Sequence, residues 1–242
     1  MRDFFNMDNP LFRTLGKVAD LMILNIAFIL FSIPIFTIGA SITGMYYVAL
    51  KMAENEEGYI FKGFWKSFKQ NFKQATCIWL IDLAVGIILL LDLLILRNAE
   101  GTTATVMRIM ILAVIVVYLM ISLYVFPVLS RFYNTVKGTL KNSLLISIAN
   151  FPYTILMLVI SIVPVIVTLY NGYTLWYGLL VWILLGFSGI TYANSFFMKK
   201  VLAKYMPEEE KEDDPDHWET DDLIPEDASA ASIETAVNDK TE

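Results

Sequence analysis

The stretch FKGFWKSFKQNFKQ, residues 61–74, decides the fold because it places the chain at a membrane surface. On a helix, its aromatic side chains fall on one face and its lysines on another, a pattern typical of a membrane-interface helix. The predicted interface residues are Phe61, Phe64, Trp65, Phe68 and Phe72, with Lys62, Lys66, Lys69 and Lys73. Lysines beside a membrane-spanning segment belong on the cytoplasmic side, so this stretch also orients the chain. The first partner it predicts is the lipid bilayer.

The overall composition also predicts a membrane protein. Hydrophobic residues make up 57% of the chain and charged residues only 17%, below the roughly 25% usual for soluble domains. Residues 207–242 hold 15 acidic and 2 basic residues, whereas residues 1–206 hold 16 basic and 9 acidic residues. We therefore expect a transmembrane helical domain at 1–206 and a disordered acidic cytoplasmic tail at 207–242. Topology already explains the basic residues, so no nucleic-acid partner is expected.

The first apolar run, residues 18–52, has two interpretations. As one helix it would be ~52 Å long, much longer than the ~30 Å hydrocarbon core requires. Pro34 and Gly39 interrupt the run, because proline lacks a donor and glycine loosens the backbone. Either 18–34 and 38–52 form a hairpin, or one kinked helix crosses once. Basic residues at both ends favour the hairpin, whose short halves would also suit a partly re-entrant element if protein buries it.

The remaining apolar runs predict an all-α polytopic membrane helix bundle. After the interface helix at about 60–74, four spans are expected at 75–96, 106–129, 148–170 and 175–198. The bundle has six segments with the hairpin and five without it. The hairpin places 14 of the 16 basic residues of 1–206 on one side, leaving Arg97 and Arg108 on the other. This bias predicts a multi-pass protein of the bacterial cytoplasmic membrane with both termini cytoplasmic.

Polar residues within the predicted spans are the candidate functional residues. A carboxylate such as Asp82 costs several kcal/mol in the membrane unless it is paired, protonated or hydrated. It could act as a proton or cation relay or accept a sugar hydroxyl. The alternative is a structural carboxylate, hydrogen-bonded to Asn25, Asn150, Tyr192 or Asn194 on neighbouring helices. The candidate intramembrane polar site is Asp82, Asn25, Asn150 and Asn194, with Tyr192 as a further possible partner.

Other residues limit the chemistry that is expected. One cysteine, Cys77, excludes an intrachain disulfide, and one histidine, His217, excludes a His-based metal site or a Ser-His-Asp triad within the membrane region. We expect no catalytic residues, no cofactor, no metal and no enzymatic activity. Asp92 is expected to close its hairpin through an ion pair with Arg97 or Arg108.

Four short blocks resemble a known family. SIPIFTIGAS at 32–41, YYVALK at 46–51, TLKNSLL at 139–145 and ANFP at 149–152 are similar to the YesL family of bacterial membrane proteins. The resemblance implies a small multi-spanning protein, often encoded beside carbohydrate ABC-transporter genes. It supplies no catalytic or binding residues, since the family is a domain of unknown function. It implies a context, carbohydrate uptake, and not an activity. From this context and the lack of a catalytic cluster we expect a non-enzymatic accessory protein that contacts ABC-transporter permease subunits or itself; the alternative is an independent small-molecule transporter acting as an oligomer.

Overall fold

The chain folds into helices throughout the part that the structure, a computed structural model, describes: residues 10–56, 58–132 and 134–206. The helices are α1 (Pro10–Phe31), α2 (Ile38–Glu54), α3 (Ile60–Leu96), α4 (Thr102–Arg131), α5 (Val136–Ala149), α6 (Phe151–Leu169), α7 (Gly172–Val181) and α8 (Phe187–Leu202). A 3₁₀ turn, Ile35–Thr37, precedes α2, and a π-helical segment, Trp182–Gly186, joins α7 to α8. This confirms the predicted all-α bundle. The predicted acidic tail, 207–242, lies outside the described residues.

Among the described residues, six segments are long and apolar enough to cross a membrane. They are Thr14–Phe31, Ile35–Glu54, Ile60–Leu96, Thr102–Arg131, Phe151–Leu169 and Gly172–Leu202. Two of them come from the run 18–52, so the alternative of one long helix is wrong. Pro34 stands at the break with an extended backbone, φ −76° and ψ 116°, and α2 begins only after the following 3₁₀ turn.

The predicted interface helix is not a separate element. Residues 60–74 are the first four turns of α3, which continues to Leu96 over 37 residues. Gly39 approaches Ala75, whereas Gly44 approaches Phe64. At 1.5 Å per residue these contacts lie ~8 Å apart along α2 but ~17 Å apart along α3, so the two helices are not straight antiparallel neighbours. The first turns of α3 therefore cross α2 obliquely.

Helix α5 is an element that the sequence analysis missed, because residues 136–147 lie between the predicted spans 106–129 and 148–170. Its buried face consists mainly of small hydroxyl residues, Thr139, Ser143 and Ser147. Their side chains donate to carbonyls of the preceding turn, for example Ser143 Oγ to Thr139 O at 2.7 Å. Small residues that satisfy their hydroxyls locally let helices pack closely in a membrane protein, but they give little apolar periodicity in the sequence.

The packed core lies at one end of the bundle, which we call the lysine end because it includes the first turns of α3. Two buried clusters meet there: one joins α1, α2, α3 and α4, and the other joins the end of α2 to α4, α5, α6 and α8. At the opposite end, which we call the loop end, lie the α3–α4 loop and the α6–α7 turn. Between these ends, most large apolar side chains are exposed, as expected for surfaces that contact lipid.

An ion pair and a backbone contact join helices at the lysine end. Arg131 of α4 pairs with Glu54 of α2, and the Lys199 ammonium of α8 donates to the carbonyl of Ala53. These contacts hold the ends of α2, α4 and α8 together.

Candidate functional site

Asp82 lies at the contact between α3 and α4. Its carboxylate accepts a hydrogen bond from Ser122 Oγ at 2.5 Å and a weaker one from Tyr118 Oη at 3.3 Å. Asp82 is therefore hydrogen-bonded to a neighbouring helix, as the structural interpretation expected, but these two partners on α4 are not residues that the sequence analysis named. Tyr118 and Ser122 are four residues apart, so they share one face of α4. That spacing was present in the sequence and could have identified them as a polar pair.

The lack of a side chain at Gly86 leaves room for the Tyr118 hydroxyl at this site. A Cβ atom on Gly86, one turn beyond Asp82 on α3, would lie 2.8 Å from Tyr118 Oη. The hydroxyl therefore occupies the space that a side chain at position 86 would need. The site is a partly buried carboxylate with two hydroxyl partners. These hydroxyls satisfy the carboxylate within the protein. A carboxylate in such an environment is also a group that can bind a proton.

Asn25 of α1 is completely buried and bonds to the segment between α7 and α8. Its Nδ2 donates to Trp182 O at 3.0 Å and to Ile183 O at 2.7 Å, and its Oδ1 accepts from the backbone nitrogen of Ser188 at 3.0 Å. A π-helical turn disturbs the regular i to i−4 hydrogen bonds of a helix. Asn25 binds the backbone at this turn, so its role is to join α1 to the π-helical segment.

The other two asparagines lie elsewhere. Asn194 of α8 donates to Ser161 Oγ of α6 at 2.9 Å, and its Oδ1 finds no hydrogen-bond donor among the described residues. Asn150, at the junction of α5 and α6, donates to Ile146 O at 3.0 Å. Asn150 and Ser161 are ~16 Å apart along α6. The predicted polar residues thus attach to different elements and do not form one site.

The predicted ion pair of Asp92 is also wrong. Among the described residues, Arg108 of α4 instead donates to the carbonyl of Leu96, at 3.0 Å, and to that of Ala99. The last carbonyls of a helix have no partner within the helix. Arg108 binds the last carbonyl of α3, that of Leu96, and a carbonyl of the following loop, that of Ala99, and so closes the α3–α4 hairpin through the backbone.

The aromatic face of residues 61–74 packs mainly against protein. Phe64 and Phe68 are 0% and 6% exposed, so the expectation that they contact lipid headgroups is wrong. The Phe31 ring at the end of α1 lies 5.0–6.3 Å, between ring centroids, from those of Phe61, Phe64, Trp65 and Phe68. Phe61 remains 53% exposed, and Trp65 and Phe72 are half-buried. The aromatic side chains therefore fasten α3 to the turn between α1 and α2.

The lysines of this segment remain at the surface. Lys62, Lys66, Lys69 and Lys73 are all exposed. The Lys69 ammonium lies 5.1 Å from the centroid of the Trp65 ring, a distance typical of a cation–π contact. We call these four residues the lysine surface. It is a strongly basic face that a lipid headgroup or an acidic protein surface can reach.

The fold and its polar contacts define the class of this protein: it is a polytopic α-helical integral membrane protein. The comparisons show which proteins the chain is similar to. The family described as "Protein of unknown function, DUF624" matches residues 21–93. The chain is similar to "Uncharacterized protein YesL" of Bacillus subtilis (strain 168), at 27% identity over 144 residues, covering 58% of this chain and 68% of that protein. These matches confirm the predicted resemblance to the YesL family.

The chain is also similar to a second protein. "Uncharacterized protein YteU" of Bacillus subtilis (strain 168) is 24% identical over 136 residues, which cover 56% of this chain and 61% of that protein. No solved structure is significantly similar to this chain.

Proposed function

We propose that this protein is a non-enzymatic accessory subunit of a carbohydrate ABC transporter in the bacterial cytoplasmic membrane. The observation that carries this proposal is the separation of the four polar residues Asp82, Asn25, Asn150 and Asn194. A transport pathway needs polar groups that converge on a cavity, whereas these residues bind different helices. The link to carbohydrate uptake comes from the resemblance to the YesL family.

The lysine surface is the proposed contact for the permease. Its aromatic neighbours Phe64 and Phe68 are buried within the chain, so the lysines are held on a supported helix rather than on a loop. Charge complementarity across an interface determines orientation and partner choice more than affinity. In this proposal the lysine end and both chain termini are cytoplasmic, because lysines next to spans favour that side.

Purification of the tagged protein from its native membrane tests the proposal. We expect ABC permease subunits at near-equal amounts in the detergent-solubilised complex, measured by quantitative mass spectrometry. Changing Lys66 and Lys69 together to glutamate should lower permease recovery several-fold, because the surface charge reverses. The matched control is Arg97→Glu, a charge reversal at the loop end. Recovery of this protein alone, or with itself only, contradicts an accessory role.

Asp82 supports a second candidate function, an independent transporter that acts as an oligomer. A carboxylate with two hydroxyl partners inside a spanning helix is the type of group that proton-coupled transporters use. Six segments of this size would need a second copy to enclose a pathway.

Uptake by an Asp82→Asn variant distinguishes the two functions. If the protein is an accessory subunit, we expect carbohydrate uptake to stay near the wild-type rate, because asparagine keeps the size of the side chain and can still bond Ser122. Ser122→Ala, which removes the 2.5 Å hydrogen bond and leaves the carboxylate, is the matched control. Abolished uptake in Asp82→Asn with normal uptake in Ser122→Ala would favour the transporter.

A further inference from the structure

The turn between α1 and α2, residues 32–37, lies far from the loop end of the bundle. Trp79 Nε1 of α3 donates to Ile35 O at 2.8 Å, and a Cβ atom on Gly39 would lie 2.5 Å from Ala75 O. Trp79 precedes Leu96, the last residue of α3, by 17 positions. At 1.5 Å per residue this is ~26 Å, close to the ~30 Å thickness of the hydrocarbon core. A hairpin that crossed the membrane would instead bring its turn to the level of Leu96.

Three carbonyls at this turn have partners within the protein, whereas the buried Ser32 Oγ has none among the described residues. The Thr37 hydroxyl shares its one proton between Phe31 O at 2.6 Å and Pro34 O at 2.7 Å. The indole N–H of Trp79 donates to the carbonyl of Ile35. Carbonyls left open by a broken helix can bond to water at a membrane surface, but inside the membrane they need protein partners. The carbonyls of Phe31, Pro34 and Ile35 have such partners.

The side chains at the turn are apolar and exposed. Ile33, Ile35 and Phe36 are 72%, 65% and 51% exposed. The loop end has a different composition: the α3–α4 loop begins with Arg97 and Asn98 and contains Glu100. Apolar side chains around a turn whose carbonyls are partly bonded to protein fit a hydrocarbon environment, whereas the charged loop fits water.

The burial of α2 agrees with this position. In its apolar stretch 67% of residues are buried, compared with 11% in each of the stretches that include α3 and α6. A helix that is surrounded by protein can enter a membrane without spanning it, because its ends need not reach water on both sides.

We propose that α1 and α2 form a re-entrant hairpin that enters and leaves at the lysine end. Acyl chains of the leaflet on that side cover its turn at Ile33, Ile35 and Phe36. The remaining four segments, which contain α3, α4, α6 and α7–α8, cross the membrane completely. The hairpin thus occupies only one leaflet, and the exposed side chains of its turn form a lipid-binding surface. This arrangement does not depend on the proposed function.

Spin labelling of the purified full-length chain in phosphatidylcholine–phosphatidylglycerol vesicles tests the proposal. A nitroxide is attached to Ile33→Cys or Phe36→Cys in a Cys77→Ala background. Power-saturation electron paramagnetic resonance then measures the accessibility of the label to oxygen, which concentrates among acyl chains, and to a water-soluble nickel chelate. Leu90→Cys, 57% exposed on α3, is the reference for lipid, and Asn98→Cys in the α3–α4 loop is the reference for water.

We expect labels at positions 33 and 36 to match position 90, with an oxygen-to-nickel accessibility ratio several-fold above that at position 98. Nickel accessibility equal to that at position 98 would place the turn in water and overturn the re-entrant hairpin. Low accessibility to both reagents would mean that protein covers the turn, which overturns the lipid-binding surface. Both positions are exposed, so the labels do not require repacking, and an unchanged thermal unfolding midpoint verifies this for each variant.

Discussion

A Gly39→Ala variant is expected to be clearly less stable than the wild-type protein. The added Cβ would lie 2.5 Å from both Ala75 O and Trp79 Cβ. Neither atom is the flexible end of a side chain, so α2 and α3 would have to separate. Overpacking of this kind costs about 1–3 kcal/mol, although alanine ordinarily favours a helix over glycine by about 1 kcal/mol. The separation would also lengthen the hydrogen bond from Trp79 to the turn.

The matched control for this variant is Gly16→Ala. Gly16 is an exposed residue of α1 with no atom within 4 Å of its would-be Cβ. We expect this change to be neutral or stabilising by up to about 1 kcal/mol. Equilibrium unfolding in mixed micelles of rising dodecyl sulfate content, followed by circular dichroism, gives the free energy of unfolding of both variants. Equal stability of Gly39→Ala and Gly16→Ala would show that α2 and α3 are not in close contact at Gly39.

Much of this architecture could be predicted from the sequence. Apolar runs with polar interruptions located the membrane segments, because long runs without charge have few alternatives to a membrane helix. Pro34 correctly marked the break between α1 and α2, since proline cannot continue the hydrogen-bond pattern of a helix. The choice between one helix and two was therefore favoured by local chemistry and confirmed by the structure.

Whether the aromatic face of residues 61–74 contacts lipid or protein could not be predicted in the same way. A helix with aromatic residues on one face and lysines on the other has the same pattern whether that face meets lipid or protein. Phe31, the residue that decides between these environments, is thirty positions before Phe61 in the sequence. Only tertiary structure brings its ring against Phe64 and Phe68.

Polar contacts between helices were the least predictable feature. The sequence identified Asp82 as a costly group but not its partners, because a carboxylate can accept from any donor on a neighbouring helix. Tyr118 and Ser122 carry the signal of i, i+4 spacing, which indicates one face but not which helix it contacts. The π-helical segment WILLG, residues 182–186, has no sequence signature of its own, so the partner of Asn25 could only be seen in the structure.

An Asn25→Leu variant is expected to be less stable than the wild-type protein, because backbone groups outside α1 lose their hydrogen-bond partner. Leucine is similar in size but cannot serve Trp182 O, Ile183 O or Ser188 N, all of which Asn25 binds within 3.0 Å. Each buried polar group left without a partner costs about 1–3 kcal/mol. Hydrogen bonds between membrane helices average nearer 0.6 kcal/mol, since the freed groups find other partners. A loss of about 2–4 kcal/mol is the expected sum for three groups.

Hydrogen–deuterium exchange separates this mechanism from a simple packing defect. Because Asn25 Oδ1 accepts from the backbone nitrogen of Ser188, the peptide that contains Ser188 should exchange faster in Asn25→Leu, while peptides of α3 and α4 keep their wild-type rates. Ile26→Ala is the matched control, since Ile26 is the next residue and 49% exposed; it should leave the exchange of Ser188 unchanged. Unaltered exchange at Ser188 in Asn25→Leu would mean that the π-helical segment holds its conformation without Asn25. Faster exchange confined to that segment would identify Asn25 as the residue that joins α1 to the π-helical turn.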